Sequence, residues 1–176
     1  KYFSNFKNYL KKQFLFKNEN VFDNNKYLDL INKNQTIVSI CVRQNRFSER
    51  IQNKYDQNQK LKSDNFTKET IDYIKRAVNF VDNKLVNAKY LVWSNDFNNL
   101  RNYLPENKFI FIDNKMNKSL TDFYLWLQCK NFIVGPTSFH WWPAWLNNEE
   151  YSLILRPKDI NISNNADFWA NDWIPI

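Results

Sequence analysis

Five short apolar runs, each separated from the next by a segment long enough to cross over, organise the chain from residue 36 to residue 155. TIVSICV (36–42) is continuous and β-branched, and KYLVWS (89–94), KFIFID (108–113), NFIVG (131–135) and SLIL (152–155) follow it. An unbroken apolar run bounded by polar residues reads as a strand buried on both faces. Between the runs lie FTKETIDYIKRAVNFVDNKL, with Thr67 as N-cap and Ile71, Ile74, Val78 and Val81 at helical spacing, and FNNLRNYLP, a short helix stopped at Pro105. SLTDFYLWLQCK (119–130) and TSFHWWPAWLNN are the further helices. Strands joined by helical crossovers build a parallel sheet. The expected fold is α/β, a Rossmann-like parallel sheet with helices on both faces.

Composition narrows the function. The 176 residues suit one domain. Apolar residues at 43%, with 7 Trp, 9 Tyr and 15 Phe, supply more core material than a disordered chain carries. Gly135 is the single glycine against 29 asparagines, so neither G-x-G-x-x-G nor a Walker loop exists, and the enzymes that depend on them are excluded. One His and two Cys cannot make the common four-ligand zinc sites, and no metal is expected. Cys41 and Cys129 are isolated, which points to a reducing, cytoplasmic setting. No apolar run approaches the roughly 18 residues of a membrane span, and no signal peptide opens the chain; peripheral association with the inner face of a membrane stays open. The sequons at Asn34, Asn65, Asn117 and Asn161 read as accidents of an Asn-rich chain. The net charge of +7 is spread without a dense stripe, so no nucleic-acid partner is expected. Residues 1–35 are Lys- and Asn-rich and read as one or two short elements, while 36–176 carry the domain. The chain opens at Lys1 rather than Met, as a fragment of a longer protein would.

In open parallel sheets, ligands bind beyond the carboxyl ends of the strands. The first strand delivers Arg43, Arg46, Glu49 and Arg50 there. Arginine offers a planar, permanently charged donor fork suited to phosphate; by itself, a solvated surface loop explains the cluster as well. The fourth strand delivers Gly135-Pro136-Thr137-Ser138 and opens a helix. Amides at a helix N-terminus, two hydroxyls and a glycine that lets backbone approach a ligand together form an anion cradle, while by itself ordinary N-capping by Thr137 or Ser138 suffices. The conjunction suggests one pyrophosphate held from two sides. Asp122 is either a favourable helix N-terminal charge or an acceptor for a base edge such as guanine. Ser94-Asn95-Asp96 is a capping turn or a ligand contact. The run Phe139 to Leu146 is mostly core-packing helix, with His140 packed and hydrogen-bonded within it.

GPTSFHWWPAWLNN resembles the signature of the bacterial α-1,2-fucosyltransferases (glycosyltransferase family 11), usually close to A-N-S-S-F-S-W-W-G-A-W-L-N. LTDFYLWLQCKNFIV is similar to that family's D-L-x-L-M-S-x-C-K-H-N-I-I, YLVWSNDFNNLRNYL to its F-x-I-F-S-D-D stretch, VSICVRQNRFSER to its V-x-H-x-R-R-G-D, and DWIPI to its tail. The resemblance implies a GT-B-type enzyme in which this half binds GDP-fucose and transfers fucose to a glycan acceptor with inversion and without a metal. It places Arg43 on the donor pyrophosphate, Thr137 and Ser138 beside the same phosphates, and Asp122 near guanine, with Phe139 also on the donor side. Arg46, Ser94 and Asp96 fall on the donor side, and Glu49 is a candidate base. Residues 1–35 would then end an acceptor-side region. The sequence departs from the pattern at Cys41 (usually His), Gln44 (Arg), Asn45-Arg46 (Gly-Asp), His140 (Ser) and Pro143 (Gly), and it lacks a G-N-x-x-F-Q segment. A non-catalytic nucleotide-sugar-binding module is the alternative that these departures leave open.

Overall fold

The computed structural model describes residues 3–14, 25–34, 36–114, 118–147, 150–160, 163, 165 and 167–176. The helices are α1 (Lys7–Gln13), α2 (Lys26–Asn32), α3 (Gln57–Asp82), α4 (Leu100–Tyr103), α5 (Lys118–Gln128) and α6 (Ser138–Leu146). The strands are β1 (Ile37–Val42), β2 (Lys89–Ser94), β3 (Phe109–Phe111), β4 (Asn131–Ile133), β5 (Ile154–Arg156) and β6 (Ile174–Pro175). All pairings are parallel, in the order β3-β2-β1-β4-β5-β6.

Why the sheet needs two covering layers follows from β1, whose six residues are all buried. Ile37 and Cys41 pack on one face with Leu91, Trp93 and Phe132, under α2, α5 and α6. Val38, Ile40 and Val42 pack on the other with Tyr90, Val92 and Ile133, under α3. The side-chain period of two sends alternate residues to opposite cores, and each core needs its own helices. The Tyr73 hydroxyl of α3 donates to the Leu155 carbonyl at 2.9 Å, pinning that helix to β5. Asparagine serves the turns that glycine usually takes. Among the described residues the non-glycine positions of positive φ are Asn45 (55°), Asn87 (58°) and Asn99 (59°), and asparagine tolerates the left-handed region better than other side chains.

Three expectations need correction. The helix given Thr67 as its N-cap begins eleven residues earlier: Asp56 is the N-cap, its Oδ1 accepting from Asn58 N at 2.8 Å and Gln59 N at 3.3 Å. Thr67 lies mid-helix. Residues 57–65 are mostly exposed and carry a single apolar side chain, Leu61, so no hydrophobic stripe marked them. A sixth strand, Ile174–Pro175, closes the sheet edge beside β5. The strands expected at 108–113 and 131–135 shorten to three residues each, and the fifth strand shifts to Ile154–Arg156. Asn65 sits within α3, and the sequons at Asn117 and Asn161 lie outside the described residues.

Candidate functional site

The chain runs outward from β1 to β2 and β3, then returns to lay β4 on the other side of β1. Strand order reverses between β1 and β4, and a reversal leaves a crevice at the carboxyl ends because the two following connections depart to opposite sides. The arginine loop leaves β1 and the Gly135 turn leaves β4 at that crevice. The closeness of the two strands explains Gly135. A Cβ there would lie 2.2 Å from the Cys41 carbonyl oxygen. The glycine is required by the β1 backbone rather than by a ligand, which corrects the reason given for it above.

His140 locks the same turn from below. It is fully buried, its Nδ1 accepts from Gly135 N at 3.1 Å, and its Nε2 lies 2.8 Å from Ser39 Oγ in β1. With Nδ1 accepting, the neutral ring carries its proton on Nε2 and donates it to Ser39. Burial lowers its pKa to about 3, so His140 is a structural fastener and not an acid–base group. Thr137 caps α6 through a long 3.5 Å bond from His140 N. That leaves the Ser138 hydroxyl exposed and without a partner among the described residues.

The arginine loop is held by side chains that the sequence reading passed over. Ser63 of α3 accepts from Phe47 N at 3.0 Å and Ser48 N at 3.2 Å. Gln44, standing where the family pattern has arginine, turns away from the crevice and donates to the Asp96 and Asn98 carbonyls at 2.5 and 3.1 Å. Asn95 grips the Gln44 backbone at both N–H and C=O. The β1 and β2 loops are thereby tied into one body. Arg46 donates to the Pro136 carbonyl at 3.3 Å, bridging the β1 loop to the β4 turn. Burial first, and then the Arg43 charge, lower its pKa, with Glu49 opposing. Arg43 Nη2 meets Glu49 Oε2 at 2.5 Å.

Arg43, Arg46, Glu49, Arg50, Thr137, Ser138 and Phe139 line one cleft of about 540 Å³. A second cavity of about 250 Å³ adjoins it through Arg43, Thr137 and Phe139, and is lined further by Cys41, Trp93, Ser94, Lys118, Asp122 and Trp126. Cys41 is a neutral wall, its thiol pushed up to about 12 by burial and by Asp122. Asp122 lies in the second turn of α5, past the reach of a helix-end charge effect. Ser94 both donates to the Asp96 carbonyl at 2.5 Å and accepts from Asp96 N at 3.2 Å, which is the capping turn. Asp96 lines neither cavity. The sequence reading missed Lys118, Trp93, Trp126 and Gln59 as cavity walls; only the D-x-x-Q capping pattern at Asp56 could have flagged one of them, Gln59.

Fold and cleft together define a class: a doubly wound α/β protein whose strand-order reversal is flanked by two arginines and a helix N-terminus. The sequence profile described as "Glycosyl transferase family 11" matches residues 3–176, and the chain belongs to that family. The O-antigen biosynthesis glycosyltransferase WbnK of Escherichia coli is 26% identical over 108 residues, 57% of this chain and 36% of that protein. The chain spans little more than a third of that relative's length. No solved structure matches it.

Proposed function

We propose that this chain is the donor-binding half of a fucosyltransferase that moves fucose from GDP-fucose to a hydroxyl of a glycan acceptor, forming an α-1,2 linkage with inversion and without a metal. The reading rests on family membership and on one observation: Arg43 and Arg46 from β1 and the α6 N-terminus from β4 line a single cleft at the switch point. The base lies in the smaller cavity, the diphosphate at the junction of the two, and the sugar in the larger. The acceptor oxygen attacks the anomeric carbon, the bond from that carbon to the β-phosphate oxygen breaks, and GDP leaves with the electron pair. Negative charge grows on the departing phosphate, where Arg43 and the amides at Thr137 and Ser138 stabilise it. Glu49, paired with Arg43 through Oε2, takes the acceptor's proton on its other carboxylate oxygen.

In the full-length enzyme, Arg43→Ala is expected to lower kcat/KM for GDP-fucose by roughly 10²- to 10³-fold, the scale of a lost transition-state donor, with the melting midpoint unchanged. Full activity in that variant would end the phosphate role. A second reading, a module that binds nucleotide sugar without turnover, is favoured by Gln44, whose amide is spent on the loop carbonyls. Calorimetry with GDP beside a transfer assay separates the two.

A further inference from the structure

Asp122 and Asn114 form a buried polar pair beside the smaller cavity. They are 6% and 8% exposed, and Asn114 Nδ2 donates to Asp122 Oδ1 at 2.7 Å. The orientation of the Asn114 amide is itself set, because its Oδ1 accepts from Asn25 Nδ2 at 3.2 Å. Asn25 is in turn the N-cap of α2, with its Oδ1 accepting from Tyr27 N at 2.9 Å. A row of amides thus runs from the start of α2 to the cavity wall and ends on one carboxylate oxygen. The carboxylate so held forms part of the wall of the smaller cavity, and a carboxylate oxygen has lone pairs for more than one donor.

We propose that Asn114 is a positioning residue that fixes Asp122 so that the cavity selects a base presenting adjacent N–H donors, as guanine does and adenine does not. The inference rests on the nucleoside-diphosphate reading above. Adenine offers its exocyclic amine next to an unprotonated ring nitrogen, which would meet a carboxylate lone pair against lone pair. Guanine offers a ring N–H next to an amine. A carboxylate rotated out of place, or protonated, loses that distinction.

The surroundings bear on the protonation. Burial raises the Asp122 pKa; Asn114 opposes most, followed by the Lys118 ammonium and the Trp93 indole, while Asp113 adds to the rise. The Trp93 N–H makes no hydrogen bond of ordinary length, so Asn114 is the principal neutral donor holding the charge. The groups facing the carboxylate are Lys118 on its own helix, Asp113 and Asn114 after β3, Trp93 from β2 and the neutral Cys41 thiol from β1. As pH falls through the Asp122 pKa the acceptor takes a proton, so base recognition weakens on the acid side. Without Asn114 that loss moves to higher pH.

The test is titration calorimetry of GDP and ADP against the wild-type chain, Asn114→Ala, Asn114→Ser and Asp122→Asn between pH 5.5 and 8, with melting midpoints measured alongside. Wild type is expected to prefer GDP. Asn114→Ala is expected to lower GDP affinity about tenfold, the scale of one hydrogen bond to a charged group, to leave ADP unchanged, and to shift the acid limb of GDP binding upward. Asn114→Ser, which keeps a donor, restores part of the preference, and Asp122→Asn abolishes it. Equal losses for GDP and ADP in Asn114→Ala, or an unmoved acid limb in a folded variant, would overturn the proposal. Equal binding of the two by wild type would also overturn it while leaving the diphosphate site standing. Binding of neither would bring down the diphosphate reading and this one with it.

Discussion

His140 is the chain's sole histidine, and its burial makes the stability of the fold answer to pH in one direction. Unfolded, an imidazole takes its proton near the ordinary value of 6.5; folded, this one holds out until about 3. Between those limits the unfolded chain binds a proton that the native chain refuses. Stability is therefore fully present above 6.5 and is lost as pH falls through the interval, with a slope approaching about 1.4 kcal/mol per pH unit. Integrated from pH 7 to pH 5, the single group accounts for about 2 kcal/mol, a large share of the roughly 5–15 kcal/mol that holds a domain together. The reason lies in the contacts: Nδ1 is occupied by the Gly135 N–H and Nε2 by the Ser39 hydroxyl, and the ring is fully buried, away from the solvent that would support a positive charge. The assay is urea unfolding, followed by the fluorescence of the 7 tryptophans, for wild type and His140→Ser between pH 7.5 and 5. The serine variant leaves a cavity and loses stability at every pH, so the informative quantity is the slope of the difference. Carboxylates, Asp122 among them with the opposite sign, act in both proteins and cancel to first order. A wild-type advantage that shrinks by about 2 kcal/mol toward pH 5 supports the argument; a difference that stays flat refutes it.

Gly135→Ala is expected to lower unfolding stability by about 1–3 kcal/mol, the range of overpacking, because the added Cβ meets backbone and not a movable side chain; GDP affinity should fall with it, as the turn's amides are displaced. Chemical denaturation and calorimetry read the two effects, and an undamaged variant would show that β1 and β4 do not approach so closely. Glu49→Gln should leave stability nearly unchanged, since its ion pair with Arg43 is 37–41% exposed and such pairs contribute about 0–1 kcal/mol. If Glu49 is the base, kcat drops by roughly 10²- to 10⁴-fold with GDP binding preserved; an unaltered kcat with tighter GDP binding would recast it as a mere counter-ion to Arg43.

β2 was readable residue by residue, Lys89–Ser94, and β1 nearly so, because a strand buried on both faces is apolar at most of its inner positions. The start of α3 was not, since its first turns are largely exposed and carry no apolar stripe; the D-x-x-Q pattern at Asp56 was the available sign. β6 is two exposed residues and has no apolar signal of its own. At the cleft, residue type pointed to Arg43, Arg46, Thr137 and Ser138, because charge and hydroxyls at strand ends carry meaning without coordinates. Asn114 stayed invisible among 29 asparagines, as did the inward lean of Lys118. The role of Gly135 was misjudged because its neighbour, Cys41, lies far away along the chain.

The pattern of apolar runs by itself determined that the sheet is parallel and sandwiched between helices, and it named the side chains delivered to the carboxyl edge. Periodicity reports which face of an element is dry. It does not report which strand lies beside which, because that depends on pairings across long stretches of chain, such as Arg46 with Pro136, 90 residues apart. Tertiary structure alone decided that β4 returns to the side of β1, that the Arg43 loop and the α6 N-terminus therefore share one cleft, and that a buried amide holds Asp122 beside it.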